Sequence, residues 1–296
     1  MDFNKYIEEK NKRVNEAMDG WLPNEAVEPS VLHRAMRYSL FAGGKRLRPV
    51  LGIAAAECVG GDMEKALPAA CAVELIHTYS LIHDDLPVMD NDDYRRGKLS
   101  NHKVFGDANA ILAGDALLTY AFELVTRESL QCGLSPETVN ALVLEIATAS
   151  GTAGMVGGQV MDLASEGKQV EFAILEELHR RKTGALLRAA VRVGALSAGA
   201  DPQQLARLSV YAESLGLAFQ IKDDILDVEG DSEKLGKAVG SDVSNQKSTY
   251  PAIIGLEQSK ILLEEQVDRA LQLAKSFGER GRILAELAKF IRDRDF

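Results

Sequence analysis

Five aspartates lie within ten residues in the stretch Ser80–Asp93, which reads SLIHDDLPVMDNDD and begins at the end of an apolar run. Asp84 and Asp90 are six residues apart, so a continuous helix would place them on different sides. Pro87 disfavours the helical conformation at Leu86. We therefore expect the helix to stop at Asp85 or Leu86 and the chain to curl back, which would bring Asp90 toward Asp84.

A second acidic segment reads QIKDDILD, residues 220–227. Asp223 and Asp227 are four residues apart and share one face of a helix with Gln220, and the other faces are apolar. Glu74, His77, Ser80 and Asp84 form a similar polar row before the first cluster. A single acidic helix is better explained as a solvent-exposed face, but two such rows predict an interior cavity.

Carboxylates crowded in a cavity repel one another and raise one another's pKa unless cations neutralise them. Mg²⁺ prefers oxygen ligands and is held by one or two carboxylates together with water and substrate phosphates. The two acidic rows therefore predict a site for magnesium and a phosphate-bearing substrate.

Basic residues accompany both acidic segments. The segment FAGGKRLRP, residues 41–49, supplies Lys45, Arg46 and Arg48, and each side chain type suits phosphate oxygens. Taken alone, this segment would be a basic surface turn. Further cations stand on both sides of the predicted metal site, namely Arg95, Arg96, Lys182, Lys237 and Lys247.

The chain of 296 residues has 44 Asp and Glu against 34 Lys and Arg, which argues against nonspecific binding of nucleic acid. Its three cysteines, without a CxxC pair, indicate reduced core thiols and a cytoplasmic protein. The N-terminus is charged and amphipathic, so we expect no signal peptide, and we expect no apolar run long enough to span a bilayer.

Helical periodicity dominates the chain, and we predict an all-α fold with a single domain over residues 1–296 and a buried central layer. Helix starts are expected at Pro29-Ser30, Pro136-Glu137 and Asp201-Pro202. Residues 86–107 and 229–248 are expected to be loops, each directly after an acidic cluster. The predicted helices span residues 3–18, 30–42, 47–59, 64–85, 108–130, 136–164, 171–199, 203–228, 249–255, 258–277 and 280–293.

The motifs SLIHDDLPVMDNDDYRRG, FAGGKRLRP and FQIKDDILD, with LGK and KSTYP later in the chain, resemble the short-chain trans-prenyl diphosphate synthases, most closely the bacterial enzymes that make farnesyl diphosphate. The resemblance runs from about Phe41 to Pro251 with the motifs in the family's order. It implies a helical bundle around a deep central cavity, a homodimer, three Mg²⁺ ions and condensation of isopentenyl diphosphate with dimethylallyl or geranyl diphosphate.

The resemblance also implies roles for individual residues. The metal ligands would be Asp84, Asp90 and Asp223, with Asp85, Asp224 and Asp227 acting through water or behind them. Thr183 and Gln220 would lie near the reacting cation. The diphosphate of isopentenyl diphosphate would be held by Lys45, Arg48, His77 and Arg96, and the allylic diphosphate by Arg95, Lys182, Lys237 and Lys247.

Product length would depend on Tyr79, five residues before Asp84, and on its neighbour Ser80. A helix rises about 1.5 Å per residue, which places Tyr79 roughly 7–8 Å deeper in the cavity. A bulky aromatic residue there is typical of family members that stop at C15, so we expect farnesyl rather than geranylgeranyl diphosphate. A class I terpene cyclase and a non-catalytic synthase subunit are alternatives, but the basic segment and the two intact aspartate motifs argue against them.

Overall fold

The computed structural model describes residues 2–168, 170–229 and 248–295. Nearly all regular structure in these residues is helical, so the predicted all-α fold is confirmed. A π-helical turn is formed by Arg180–Gly184, and a 3₁₀ turn is formed by Gly278–Gly281. The helices are α1 (Phe3–Trp21), α2 (Ser30–Leu40), α3 (Leu47–Cys58), α4 (Met63–Asp84), α5 (Asn101–Phe105), α6 (Asp107–Gln131), α7 (Pro136–Ser150), α8 (Met155–Ser165), α9 (Phe172–His179), α10 (Ala185–Ser197), α11 (Pro202–Glu229), α12 (Tyr250–Ile254), α13 (Leu256–Lys275) and α14 (Arg282–Asp293).

Several helices begin where the sequence supplies a proline or a capping side chain. The predicted starts are confirmed, since α2 begins at Ser30, α7 at Pro136 and α11 at Pro202. The hydroxyl of Ser135 accepts a hydrogen bond from the Thr138 backbone N–H at 3.2 Å. That bond satisfies one of the donors that the first turn of a helix leaves unpaired.

The centre of the bundle is formed by α3 and α4, with α10 packed against both. Every residue from 66 to 76 of α4 and from 49 to 56 of α3 is buried. A helix that is apolar on all sides can be accommodated only inside the fold. The predicted central layer is therefore present, and it fixes the carboxyl end of α4 inside the bundle.

Three predicted element bounds are wrong. The segment 136–164 is two helices, because the backbone leaves the helical conformation at Gly151 and Gly154, and glycine favours helix least among the residues other than proline. The segment 171–199 is interrupted by the π-helical turn. The segment 86–107 is not a plain loop, since it contains α5 and an antiparallel pair of two-residue strands, β1 (Tyr94–Arg95) and β2 (Lys98–Leu99).

Two segments, α6 and Pro136–Ser165, are long and apolar enough to cross a membrane, judged by length and composition alone. The expectation that no segment reaches this length is therefore corrected. The result is weak evidence of a membrane, because core helices of soluble proteins pass the same test. In this structure α6 packs along α4, and the second segment is broken between α7 and α8.

Candidate active site

The first acidic cluster lies at the carboxyl end of α4. The helix ends at Asp84 and Asp85 follows as its C-cap, one residue from the predicted end. The backbone N–H of Asp90 donates to the carbonyl oxygen of Asp84 at 2.9 Å, so the chain does curl back as expected. Asn91 closes this turn with a positive φ of 53°, a conformation that asparagine adopts more readily than most residues.

Asp84 is partly buried beside a second carboxylate. Burial raises its pKa to about 6, Asp90 adds to the increase, and the ammonium group of Lys182 opposes it. An ionised Asp84 is therefore held at a cost in free energy, which a bound cation would offset.

Asp85 is buried and binds Arg95 rather than facing the cavity. The Arg95 Nε donates to Asp85 Oδ1 at 2.9 Å, and Arg95 Nη2 contacts both Asp85 and Asp92. Burial raises the pKa of Asp85, and the bonds from Arg95 oppose the increase. The ion pair fixes the strand pair β1–β2 against the end of α4.

The second acidic cluster lies on α11. Asp223 Oδ1 accepts a hydrogen bond from Arg294 Nη2 at 2.6 Å. The same Arg294 nitrogen donates to the Phe219 carbonyl at 2.8 Å, and its guanidinium lies 4.0 Å from the centre of the Phe219 ring. The sequence left the role of the C-terminal RDRDF open, and the structure brings its Arg294 to this carboxylate.

The other two aspartates of α11, Asp224 and Asp227, are buried. Asp224 accepts from Gln220 Nε2 at 3.0 Å and from the Tyr250 backbone N–H at 2.9 Å. It therefore joins α11 to the first turn of α12, which agrees with a place behind the metal ligands.

The π-helical turn carries Lys182 and Thr183, and such turns are frequent at functional sites. Lys182 Nζ contacts Asp162 Oδ2 on α8 at 2.5 Å, and the Thr183 hydroxyl donates to Gln220 Oε1 at 3.0 Å. A Cβ at Gly158 would lie 2.2 Å from the Lys182 backbone nitrogen, so only glycine lets α8 approach the turn this closely.

A basic pocket of about 360 Å³ lies beside these groups. Burial lowers the pKa of Arg48 to about 10, and the Nε of Arg48 has no hydrogen-bond partner among the described residues. Burial also lowers the pKa of His77 far below its usual range, and the neighbouring arginines reinforce the effect. A charged Arg48 held at such a cost, with a donor left unused, fits an anionic ligand. The pocket is lined by all four residues predicted for isopentenyl diphosphate, Lys45, Arg48, His77 and Arg96, and also by Arg294.

Arg46, between two of these cations, has a structural role instead. Its Nη1 donates to Glu74 Oε1 at 3.0 Å and its Nε to the Asn15 side chain at 3.0 Å, and Arg46 and Glu74 are both buried. Glu74 is therefore held in a buried ion pair with Arg46.

A larger, mostly apolar cavity of about 530 Å³ extends from Asp84 into the bundle. Arg48 and His77 line both this cavity and the basic pocket, so the two adjoin. Tyr79 and Ser80 also line the cavity, and burial together with Asp84 raises the pKa of Tyr79 to about 12. The Ser80 hydroxyl donates to the His77 carbonyl at 2.9 Å.

The residues present fit Mg²⁺. Within residues 2–168, 170–229 and 248–295 no three His, Cys, Asp or Glu side chains converge closely enough to hold a metal ion unaided. Mg²⁺ does not need such a group, because substrate phosphates and water complete its coordination. Asp84, whose ionised form a cation would stabilise, and the adjacent Asp90 would supply two hard oxygen ligands.

We expect Asp84→Asn to raise the free energy of unfolding of the metal-free protein by up to about 3 kcal/mol at about pH 7.5. The pKa of Asp84 rises from 3.8 to about 6 on folding. The folded state therefore binds more protons between these pH values, and ionised Asp84 lowers stability above them. Urea unfolding with a chelator measures the gain, which should disappear near pH 4.

Asp93→Asn is the matched control for this measurement, because Asp93 is exposed and pairs with Lys103 at 2.7 Å. It should show no comparable gain. A gain for Asp84→Asn that persists at pH 4 would contradict the electrostatic explanation.

The sequence reasoning missed two residues of this site. Asp162 was not considered, although it is the only acidic residue of α8 and could have been suggested by its place in an apolar helix. Arg294 was named but not placed. The predicted residues Lys237 and Lys247 lie outside the described residues.

The fold and the site define an all-α protein in which one cavity joins a carboxylate cluster to a basic pocket. The family described as Polyprenyl synthetase matches residues 29–285, and the chain belongs to this family. It is 47% identical over 296 residues to a farnesyl diphosphate synthase of Geobacillus stearothermophilus, covering 100% of this chain and 99% of that protein.

Two further relatives show how far the likeness extends. The large subunit 1 of a heterodimeric, chloroplastic geranylgeranyl pyrophosphate synthase of Arabidopsis thaliana is 52% identical over 267 residues, covering 89% of this chain and 71% of that protein. The crystal structure of an FPP/GFPP synthase from Zymomonas mobilis, in its apo form, superposes with a TM-score of 0.87 at 37% identity and covers 98% of each chain. Relatives whose names give different products are thus 47% and 52% identical to this chain, so identity alone does not assign a product.

Proposed function

We propose that this protein is a Mg²⁺-dependent trans-prenyltransferase that condenses isopentenyl diphosphate with dimethylallyl and then geranyl diphosphate to make farnesyl diphosphate. The observation that carries the proposal is the junction of two sites, the mostly apolar cavity that extends from Asp84 and the basic pocket, since Arg48 and His77 line both. A reaction between two diphosphate esters needs two such sites side by side.

In this proposal the two diphosphates are bound differently. Asp84, Asp90 and Asp223 would hold the magnesium. The family resemblance implies that three ions are bound. When bound, Mg²⁺ supplies the positive charge that makes diphosphate a good leaving group. Lys182 assists at the allylic diphosphate, together with Arg95, Lys237 and Lys247. Isopentenyl diphosphate is held without metal in the basic pocket, by the cations Lys45, Arg48 and Arg96 and by the neutral imidazole of His77.

The reaction breaks the allylic carbon–oxygen bond and releases diphosphate. The electron pair of the isopentenyl double bond forms the new carbon–carbon bond, and a proton leaves the adjacent carbon for the released diphosphate. The linked oxygens of Thr183 and Gln220 are placed to stabilise the positive charge that develops. The apolar lining of the cavity excludes water that would trap the cation. Holding both substrates in adjoining pockets makes the step effectively unimolecular.

Tyr79 supports the C15 product. It precedes Asp84 by five residues on α4 and lines the cavity into which the tail grows. Geranylgeranyl diphosphate is the second candidate product. It is favoured by the similarity to the Arabidopsis protein.

Tyr79→Ala should lengthen the product from C15 toward C20, because it removes the bulky ring from the cavity. We expect the C20 to C15 ratio to rise at least about tenfold, which corresponds to a modest change in relative barriers. Chromatography of the dephosphorylated products measures it. An unchanged ratio would show that the floor of the cavity lies elsewhere.

The function is tested by incubating the purified protein with isopentenyl diphosphate, Mg²⁺ and each allylic primer in turn. We expect a linear C15 diphosphate that is lost when the metal is chelated. A cyclised hydrocarbon would indicate a terpene cyclase, and no turnover by the chain alone would indicate a non-catalytic subunit.

We also propose a cytoplasmic homodimer that binds small diphosphates and no nucleic acid. Cys58 and Cys71 are unpaired and buried, in agreement with a reducing compartment, and burial raises the pKa of both thiols. The homodimer rests on the family resemblance, because four of the apolar side chains exposed on α6 and α8, namely Ile111, Val156, Val160 and Leu163, line the cavity instead.

A further inference from the structure

We propose that His83 and Gly114 set the length of the product by fixing the position of Tyr79 in the cavity. Both are positioning residues, since neither is assigned a contact with the reacting atoms. The inference rests on the proposed prenyltransferase function, and it concerns which contacts hold the wall of the cavity in place.

His83 connects Tyr79 to α6. It follows Tyr79 by one turn of α4, and both side chains line the cavity of about 530 Å³. Their rings meet edge to face, with centroids 5.6 Å apart and an interplanar angle of 79°. The Nε2 of His83 lies 3.0 Å from the carbonyl oxygen of Ile111 on α6. Because a carbonyl oxygen only accepts, Nε2 carries the proton and donates it, which fixes the imidazole ring against α6.

Gly114 makes room for this ring. A Cβ at Gly114 would lie 2.1 Å from Nε2 and 2.5 Å from Cδ2 of His83. Real atoms cannot approach this closely, so any side chain at position 114 displaces the imidazole from α6. The absence of a side chain at Gly114 therefore decides how near α6 the His83 ring lies, and the Tyr79 ring rests against it.

Substitutions at the two positions should change the length of the product in opposite directions. In Gly114→Ala the added methyl group pushes the imidazole away from α6 toward Tyr79 and the cavity, which shortens the space for the growing tail. In His83→Ala the imidazole is lost, Tyr79 loses the ring that supports it, and the space left behind is open to the tail. The double variant puts a methyl group into part of the vacated space.

The experiment compares the C10, C15 and C20 products made from dimethylallyl diphosphate with excess isopentenyl diphosphate at saturating Mg²⁺. For His83→Ala we expect the C20 to C15 ratio to rise at least about tenfold. For Gly114→Ala we expect the C10 to C15 ratio to rise at least about fivefold. In the double variant both ratios should return toward those of the native chain, as expected when two groups act through one contact.

Controls separate this role from a general loss of structure. His83→Gln keeps an N–H donor for the Ile111 carbonyl and should give ratios nearer the native ones than His83→Ala does. Gly20→Ala adds a methyl group on a helix where nothing lies within 4 Å, and it should leave the ratios unchanged. His83 adjoins Asp84, so the Mg²⁺ concentration for half-maximal rate is measured for each variant, and that of Gly114→Ala should match the native value.

A shift toward longer products in both single variants, or toward shorter products in both, would overturn the inference, as would native ratios in His83→Ala. These outcomes require a native chain that makes linear prenyl diphosphates. A native chain that makes none would overturn the proposed function, and the inference with it.

Discussion

Asp84→Asn is expected to lower kcat by about a thousandfold or more, because the variant loses a charged ligand of the metal that neutralises the leaving diphosphate. Asp84 is the partly buried carboxylate at the end of α4 whose pKa burial raises to about 6. An amide in its place retains an oxygen but not the negative charge. Initial rates with geranyl diphosphate at increasing Mg²⁺ measure both kcat and the metal concentration required, and the latter should also rise.

The loss of activity should accompany a gain in stability. The same substitution removes the charge that the fold holds at a cost, so an inactive yet more stable variant would exclude unfolding as the cause. Asp93→Asn removes one carboxylate three residues beyond Asp90 and should keep a near-native rate, since Asp93 is exposed and pairs with Lys103. Retention of more than about a tenth of the native kcat by Asp84→Asn would contradict the assigned metal site.

Local signals in the sequence were sufficient to predict the helical fold and the shape of the first acidic loop. Pro87 predicted the end of α4 to within a residue, and the turn that brings Asp90 back to Asp84 is confirmed by their 2.9 Å backbone hydrogen bond. Both follow from the restricted backbone of proline and of the residue before it. The break between α7 and α8 was missed because apolar residues keep a helical spacing on both sides of Gly151 and Gly154.

Contacts between residues far apart in the chain could not be predicted from one sequence. Lys182 pairs with Asp162 on α8, and Arg294 reaches Asp223 from the last residues described. Both pairs depend on which helices pack together, and helical periodicity shows which face of a helix is buried without showing its neighbour. The role of Gly114 could not be predicted for the same reason. Its lack of a side chain matters only because the His83 ring of another helix lies against it.

Arg48→Gln is expected to raise the KM for isopentenyl diphosphate by about a hundredfold, because two charge-assisted hydrogen bonds to a phosphate contribute about 3 kcal/mol. Arg48 is held charged in a buried pocket, and its Nε has no partner among the described residues, so its donors remain available for the ligand. The KM for geranyl diphosphate should change less than about threefold, since in the proposed function that substrate is bound chiefly through the carboxylates and their metal. Steady-state rates with each substrate varied in turn measure both values.

His77→Ala should show the same selectivity with a smaller effect, a rise of about tenfold in the KM for isopentenyl diphosphate, because its imidazole is neutral and donates a single hydrogen bond. Burial and the adjacent arginines lower the pKa of His77 far below its usual range, so no positive charge is lost with the ring.

Arg34→Gln, on the exposed side of α2, serves as the charge-matched control for Arg48→Gln. Equal rises in both KM values for Arg48→Gln would mean that the basic pocket does not discriminate between the two diphosphates, and the assignment of separate sites would be wrong.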